Sequence, residues 1–183
     1  MKCTACKSGT LIPAYLDSLL PCHTCDNCGG SLLRMVDYFR WQEQGGFKDS
    51  SKEKLAELDI EAEETSKAIL CPKTGGLMTK YRISKDTDHR LDFSAPLNAV
   101  WMDKGEWDLL KQNGLAGRLN NVFTSHWQQE IRSQESAEVM EELYRRRFGK
   151  DYQALLEFRE RLSEMENKSD AIAFLAADDP FSV

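Results

Sequence analysis

Five of the six cysteines in this chain fall within its first 28 residues, as Cys3-x-x-Cys6 and then Cys22-x-x-Cys25-x-x-Cys28. Two residues between cysteines let one tight turn aim both sulfurs at a single ion, and a glycine just after the second permits backbone angles that other residues resist. Gly29 and Gly30 occupy that place after Cys28. Two such turns brought together by a hairpin supply four thiolates, the number a tetrahedral ion takes. The N-terminal part is therefore expected to fold around a metal.

Five candidates compete for the four positions. Cys3 and Cys6 form one turn. Cys25 and Cys28 precede the Gly-Gly pair, whereas Cys22 and Cys25 precede Asp26 and Asn27, so the second turn is assigned to Cys25 and Cys28. Cys22 is expected on the strand entering that turn, as a spare thiol near the metal or as a small buried apolar residue; His23 is a weaker ligand candidate. Dithiol redox chemistry calls for a Cys-x-x-Cys that opens a helix in a βαβ context. Here short strands are expected instead, over 11–20 and at Leu32-Leu33, so one structural Zn2+ is favoured over redox catalysis. Spacing alone leaves an iron–sulfur cluster open.

The order CTAC, two short strands, CDNCGG and a short helix resembles the transcription factor IIB-type zinc-ribbon domain found widely in bacterial proteins. Residues 3–44 carry the resemblance, with Cys3, Cys6, Cys25 and Cys28 at its ligand positions. Leu32 stands where that family usually has tryptophan, and Cys22 is additional. Residues 71–113 look like a second copy: CPKTGGLMTKYRI begins as CTACKSGTLIPAYL does, and SAPLNAVWMDKGEWDLL follows the CDNCGGSLLRMVDYF pattern. Superposing the copies puts Cys71 on Cys3, Thr74 on Cys6, Ser94 on Cys25 and Leu97 on Cys28. Trp101, Met102, Asp103 and Glu106 fit the family's W-L-D-x-G-E segment better than the first copy does. Leucine cannot bind zinc and a neutral hydroxyl is a poor substitute for a thiolate, so this copy is expected to be metal-free. Its core is expected from Leu77, Tyr81, Ile83, Leu91, Phe93, Val100, Trp101 and Trp107. Asp103 to Glu106 reads as a capping arrangement, and Gly114 as a helix stop. His89 and Asp92 match no common ligand set with Cys71.

From 45 to 67 the chain is rich in charge and poor in large apolar residues; only Leu55, Leu58 and Ile60 suggest a helical turn. Beyond Gly117 the pattern turns helical. Trp127, Ile131, Met140, Leu143, Tyr144 and Phe148 share a face up to Gly149. Asp151 and Ser169 can cap two further helices, which carry Tyr152, Leu155, Leu156, Leu162 and Met165, then Ile172, Phe174 and Leu175. These stripes are expected to bury against one another or the ribbons rather than along a dimer seam.

The resulting expectation is an α+β protein: a zinc ribbon over 1–44, a charged linker over 45–67, a degenerate metal-free ribbon over 68–117 and a helical region over 118–183. The net charge of −6 is spread so that no segment is basic overall, and only Arg145, Arg146, Arg147 and Lys150 cluster. A nucleic-acid surface normally shows a positive patch, so a protein partner is favoured over nucleic acid. No apolar run approaches the roughly 20 residues of a membrane span, and MKCTACKSG lacks the apolar core of a secretory signal, which gives a cytoplasmic expectation. No phosphate-binding loop, nucleophilic triad or histidine-rich open metal site is present, and four cysteines close a zinc site to substrate, so no enzymatic activity is expected. The favoured class is a non-enzymatic zinc protein acting through protein interaction, as monomer or homodimer. A transcription-machinery factor and a redox switch built on Cys22 beside the zinc thiolates are the alternatives.

Overall fold

The structure is a computed structural model, and it describes residues 1–17, 19–46 and 62–181. It is of α+β type. Six strands form one antiparallel sheet: β1 (Leu11–Tyr15), β2 (Pro21–Cys25), β3 (Ser31–Arg34), β4 (Thr79–Ser84), β5 (Thr87–Ser94) and β6 (Ala99–Met102), in the order β1-β2-β3-β6-β5-β4. Helix α1 (Met35–Glu43) follows β3, and α2 (Glu106–Gln112) follows β6. A unit of three strands and a helix thus occurs twice.

The two units join through their third strands. β3 and β6 pair antiparallel, Ser31 with Met102, Leu32 with Trp101, Leu33 with Val100 and Arg34 with Ala99. Positions 32 and 101 are equivalent when the sequence copies are superposed, and they face each other. An approximate two-fold axis therefore runs through the Leu32–Trp101 pair. These two central strands bury consecutive residues on both faces, Leu32 and Leu33 in β3 and all of AVWM in β6, so neither shows apolar–polar alternation.

Each face of the sheet has its own core. Leu33, Val100 and Met102 point to the helical side, where Met35, Tyr38 and Trp41 of α1 meet Trp107 and Leu110 of α2. The Trp41 and Trp107 rings pack edge to face at 5.8 Å. Leu32, Ala99 and Trp101 point the other way, to Cys3, Leu11, Cys25, Ile69, Cys71 and Met78. Of the second-copy core residues expected from sequence, Ile83, Leu91, Val100, Trp101 and Trp107 are buried, and Tyr81 and Phe93 pack partly buried beside them. Leu77 is 67% exposed, and its neighbour Met78 takes the core position.

Helix α2 ends as expected: Gly114 has φ +66°, and the Leu115 amide reaches back to the Leu110 carbonyl at 2.7 Å, a Schellman closure. Its start is half a capping box. The Glu106 carboxylate accepts the Asp103 amide at 2.8 Å, while the Asp103 carboxylate is engaged by Trp101 Nε1 and by the Thr65 amide. After a short helix α3 (Leu119–Val122), α4 (Ser125–Phe148) begins against the sheet, with Ile131 buried and Trp127 Nε1 donating to the Ile83 carbonyl at 3.0 Å.

Tyr38 ties α1 to the loop after α2. Fully buried, its hydroxyl donates to the Ala116 carbonyl and accepts the Leu119 amide, each at 3.0 Å. Burial pushes its pKa up, so it stays neutral. Tyr38→Phe leaves both groups without a partner, and a loss of about 1–3 kcal/mol is expected in urea denaturation with an unchanged slope.

The chain divides into two compact units, Met1–Gln134 and Glu135–Val183. In the second, α4 is followed by α5 (Tyr152–Ser163) and α6 (Lys168–Ala176). No described residue from 135 to 181 is buried. Contrary to the expected intramolecular core, the stripes stay open: Tyr144, Phe148, Leu155 and Ile172 are each more than 40% exposed. Neither expected cap forms by side chain. Asp151 precedes α5 in helical conformation without a capping bond, and Asn167 rather than Ser169 precedes α6. The expected turn at Leu55, Leu58 and Ile60 lies outside the described residues.

Candidate metal centre

Two turns build the site. The first runs from Cys3 to Gly9 and closes with the Cys3 amide on the Gly9 carbonyl at 2.9 Å; the second runs from Cys25, at the end of β2, to Gly30, and closes with the Cys25 amide on the Gly30 carbonyl at 2.8 Å. The residue after each second cysteine has positive φ, Lys7 at 63° and Gly29 at 72°. Gly9 is required for another reason: a Cβ there would lie 2.3 Å from the Cys25 sulfur.

Cys3, Cys6, Cys25 and Cys28 come together with all four sulfurs within 4.8 Å of one another. The Cys3–Cys28 pair is 3.8 Å apart and the Cys6–Cys25 pair 3.7 Å. Four sulfurs at about 2.3 Å from one ion define a tetrahedron with edges of about 3.8 Å. These separations fit one ion and are too short for sulfurs that ligate different irons of a cluster. No disulfide links them.

Electrostatics argue in the same direction. Hydrogen bonds from Ser8 and from the Gly9 and Ser8 amides pull the Cys6 thiol down to about 5, whereas burial pushes the Cys3 and Cys28 thiols up, with neighbouring sulfurs adding to the effect. One thiolate forms readily and its neighbours resist. A divalent cation removes that resistance, because thiolate ligands lose their protons on binding. The residues present fit zinc: a closed, all-sulfur tetrahedral set.

Cys22 does not join them. Strand side chains alternate faces, so positions 22 and 25 of β2, an odd number of residues apart, lie on opposite sides. Cys22 is buried in the helical-side core with its sulfur 3.4 Å from Thr24 Oγ1, and burial pushes its thiol up. The placement of a spare thiol beside the metal is thus corrected to a small buried core residue. His23 is absent from the sulfur cluster.

The second unit keeps the turns without the ligands. The Cys71 amide bonds the Gly76 carbonyl at 2.8 Å, Gly75 has φ +71°, and Asn98, after Leu97, has φ +48°. Burial would raise the Cys71 thiol, but the Ser94 and Thr74 side chains and the Thr74 and Lys73 amides outweigh it and lower the pKa. Cys71, Thr74 and Ser94 therefore converge as the superposition of the copies requires. Thr74→Cys, Ser94→Cys and Leu97→Cys together are expected to create a second tetrathiolate site, doubling the thiolate-to-cobalt absorbance of the Co2+-loaded chain. Unchanged absorbance would show that the second set of turns cannot close on an ion.

Sequence reasoning does not find a second cluster. Glu64, His89 and Glu106 place one ligand atom each within 4.8 Å of one another. The spacing of His89 and Asp92 points to no ligand set with Cys71, and Glu64 lies in the segment that reads as a charged linker. The capping role of Glu106 is the one available signal there.

Compared with protein-family models, with curated proteins and with solved structures, the chain matches none. Among the described residues no helix is long and apolar enough to cross a membrane.

Proposed function

We propose that the chain is a non-enzymatic zinc-ribbon protein of the transcription factor IIB type, in which one structural Zn2+ on Cys3, Cys6, Cys25 and Cys28 holds the first repeat and the C-terminal helices engage a protein partner. The observation that carries the zinc assignment is the set of four sulfurs at tetrahedral spacing. Four thiolates leave no position for water or substrate, so the ion is structural. The repeated unit and the retained turns at Gly75 and Asn98 support the ribbon reading of both halves.

The interaction reading rests on the helical unit. Met140, Tyr144, Phe148, Leu155 and Leu156 line an apolar groove between α4 and α5 that the described residues leave uncovered. Arg145 is held by Glu141 at 2.7 Å and lies over the Tyr152 ring at 5.1 Å, which leaves that arginine less free to meet phosphates. The nucleic-acid alternative is tested alongside it. Native mass spectrometry should find zinc kept by Cys22→Ser and lost by Cys28→Ser. The purified chain should carry a stoichiometric protein partner that Tyr144→Glu with Leu155→Glu abolishes while zinc is retained. Nucleic acid copurifying instead, with a salt-dependent shift weakened by alanine at Arg145, Arg146 and Arg147, would overturn the protein-partner reading. No zinc in the unmodified chain would overturn the ribbon reading.

A further inference from the structure

The last residues of the charged linker are pinned beside the start of α2: the Glu63 amide donates to the Lys104 carbonyl at 2.9 Å, and the Thr65 amide to the Asp103 carboxylate. Between them Glu64 reaches β5. Its Oε2 accepts the Arg90 amide at 2.9 Å and lies 3.6 Å from His89 Nδ1. Glu106 approaches the same nitrogen. It is 1% exposed, its Oε2 is occupied by the Asp103 amide, and its Oε1 points at His89 Nδ1 from 3.5 Å.

Neither Glu106 Oε1 nor His89 Nδ1 has a hydrogen-bond partner among the described residues, although both atoms are buried. A buried polar atom left unpaired is costly, and a native structure rarely tolerates one without a use. The surroundings are acidic. Asp92 and Asp103 stand with the two glutamates, and Lys80 joins this network through Asp92 at 2.8 Å and Glu64 at 3.6 Å. At 3.5 and 3.6 Å the His89 contacts are long for hydrogen bonds. They lie close to the edge of about 3.3 to 3.4 Å expected between nitrogen and oxygen ligands held at 2.0–2.1 Å from one tetrahedral ion.

We propose that Glu64, His89 and Glu106 form a second, open site for a first-row divalent cation such as Zn2+ or Co2+, with a coordination position left for water or a small anion. One imidazole and two carboxylates suit such an ion better than Ca2+ or Mg2+, which take oxygen-only or largely hydrated shells. The site is independent of the four clustered cysteines, and two of its three ligands, His89 and Glu106, belong to the repeat that keeps only Cys71. Its open position distinguishes it from the closed tetrathiolate centre.

The test uses the full chain titrated with Co2+ and read by native mass spectrometry together with absorbance. Two ions per chain are expected, and only one of them produces thiolate-to-cobalt absorption. Glu106→Gln keeps an acceptor for the Asp103 amide, and His89→Gln keeps a polar side chain. Each should weaken the second ion at least about 100-fold, beyond the 10–100-fold typical of outer-shell changes, while the thiolate absorption stays unchanged and reports that the chain is folded. If one variant loses that absorption, the other carries the test. One ion per chain in excess Co2+ would overturn the proposal. A second ion bound equally well by both variants would overturn it too, as adventitious binding elsewhere.

Discussion

Replacing Cys28 by serine is expected to empty the tetrathiolate site and lower the melting temperature by about 10–20 °C, with excess chelator on the unmodified chain giving the same shift. Structural zinc contributes about 10–16 kcal/mol of apparent binding energy in isolated finger peptides. A loss of about 5 kcal/mol is enough here, at 2–4 °C per kcal/mol for a chain of this size. Only part of the binding energy is felt because the first repeat does not stand alone: β3 is paired along its length with β6, and Leu32 packs with Trp101 and Ile69. Hydrogen exchange should locate the damage. Amides of the two cysteine turns and of β1 and β2 should lose protection, while β5, β6 and α2 keep theirs. Cys22→Ser is the control, since it alters the opposite face of the sheet and should leave the ion in place. A Cys28→Ser chain that melts with the unmodified one would mean that the four sulfurs hold no structural ion. Acidification works in the same direction as the chelator, because protons compete for the thiolates and affinity falls as pH falls.

Much of this centre is legible in the amino-acid sequence. The Gly-Gly pair after Cys28 selects the second turn, and superposing the copies places Thr74 and Ser94 beside Cys71, where hydrogen bonds lower its thiol. The position of Cys22 is legible too, though the density of cysteines around it points the wrong way: with Cys22 and Cys25 on one strand, period-two alternation sends the two to opposite faces. The joining of the repeats has a weaker signal in the unbroken apolar run AVWM and the adjacent Leu32-Leu33 of SLLR, which mark strands covered on both sides. Nothing local in either run says that its partner is the other. Glu64, His89 and Glu106 are brought together only by the way the 62–67 segment lies against Asp103 and Lys104, a tertiary contact that a charge-rich stretch does not announce. The helices after residue 134 show a different limit. Periodicity identifies their apolar faces, but it states which side wants cover and not whether the same chain provides it.

Trp101 is where the two halves of the sheet depend on each other most. It is fully buried, faces Leu32 across the β3–β6 pairing, and its indole nitrogen donates to Asp103 Oδ1 at 2.9 Å. Gly30 lies so close that a Cβ there would sit 2.3 Å from the indole ring, so the second cysteine turn is built against this side chain. Trp101→Ala removes a large ring from a core with no obvious way to collapse, and a loss of about 3–5 kcal/mol is expected. That corresponds to about 6–20 °C in melting temperature for a chain of this length. Zinc affinity should fall with it, because Cys3 and Cys25 share the same cluster. Trp101→Phe separates the two contributions. It keeps most of the packing but leaves Asp103 Oδ1 without its donor, at a cost of about 1–3 kcal/mol. A phenylalanine variant close to the unmodified chain would place the contribution in packing; one as damaged as the alanine variant would place it in the bond that fixes Asp103, and through Asp103 the Thr65 amide and the start of α2. An alanine variant that loses less than about 1 kcal/mol would contradict both, and with them the view that this residue couples the repeats.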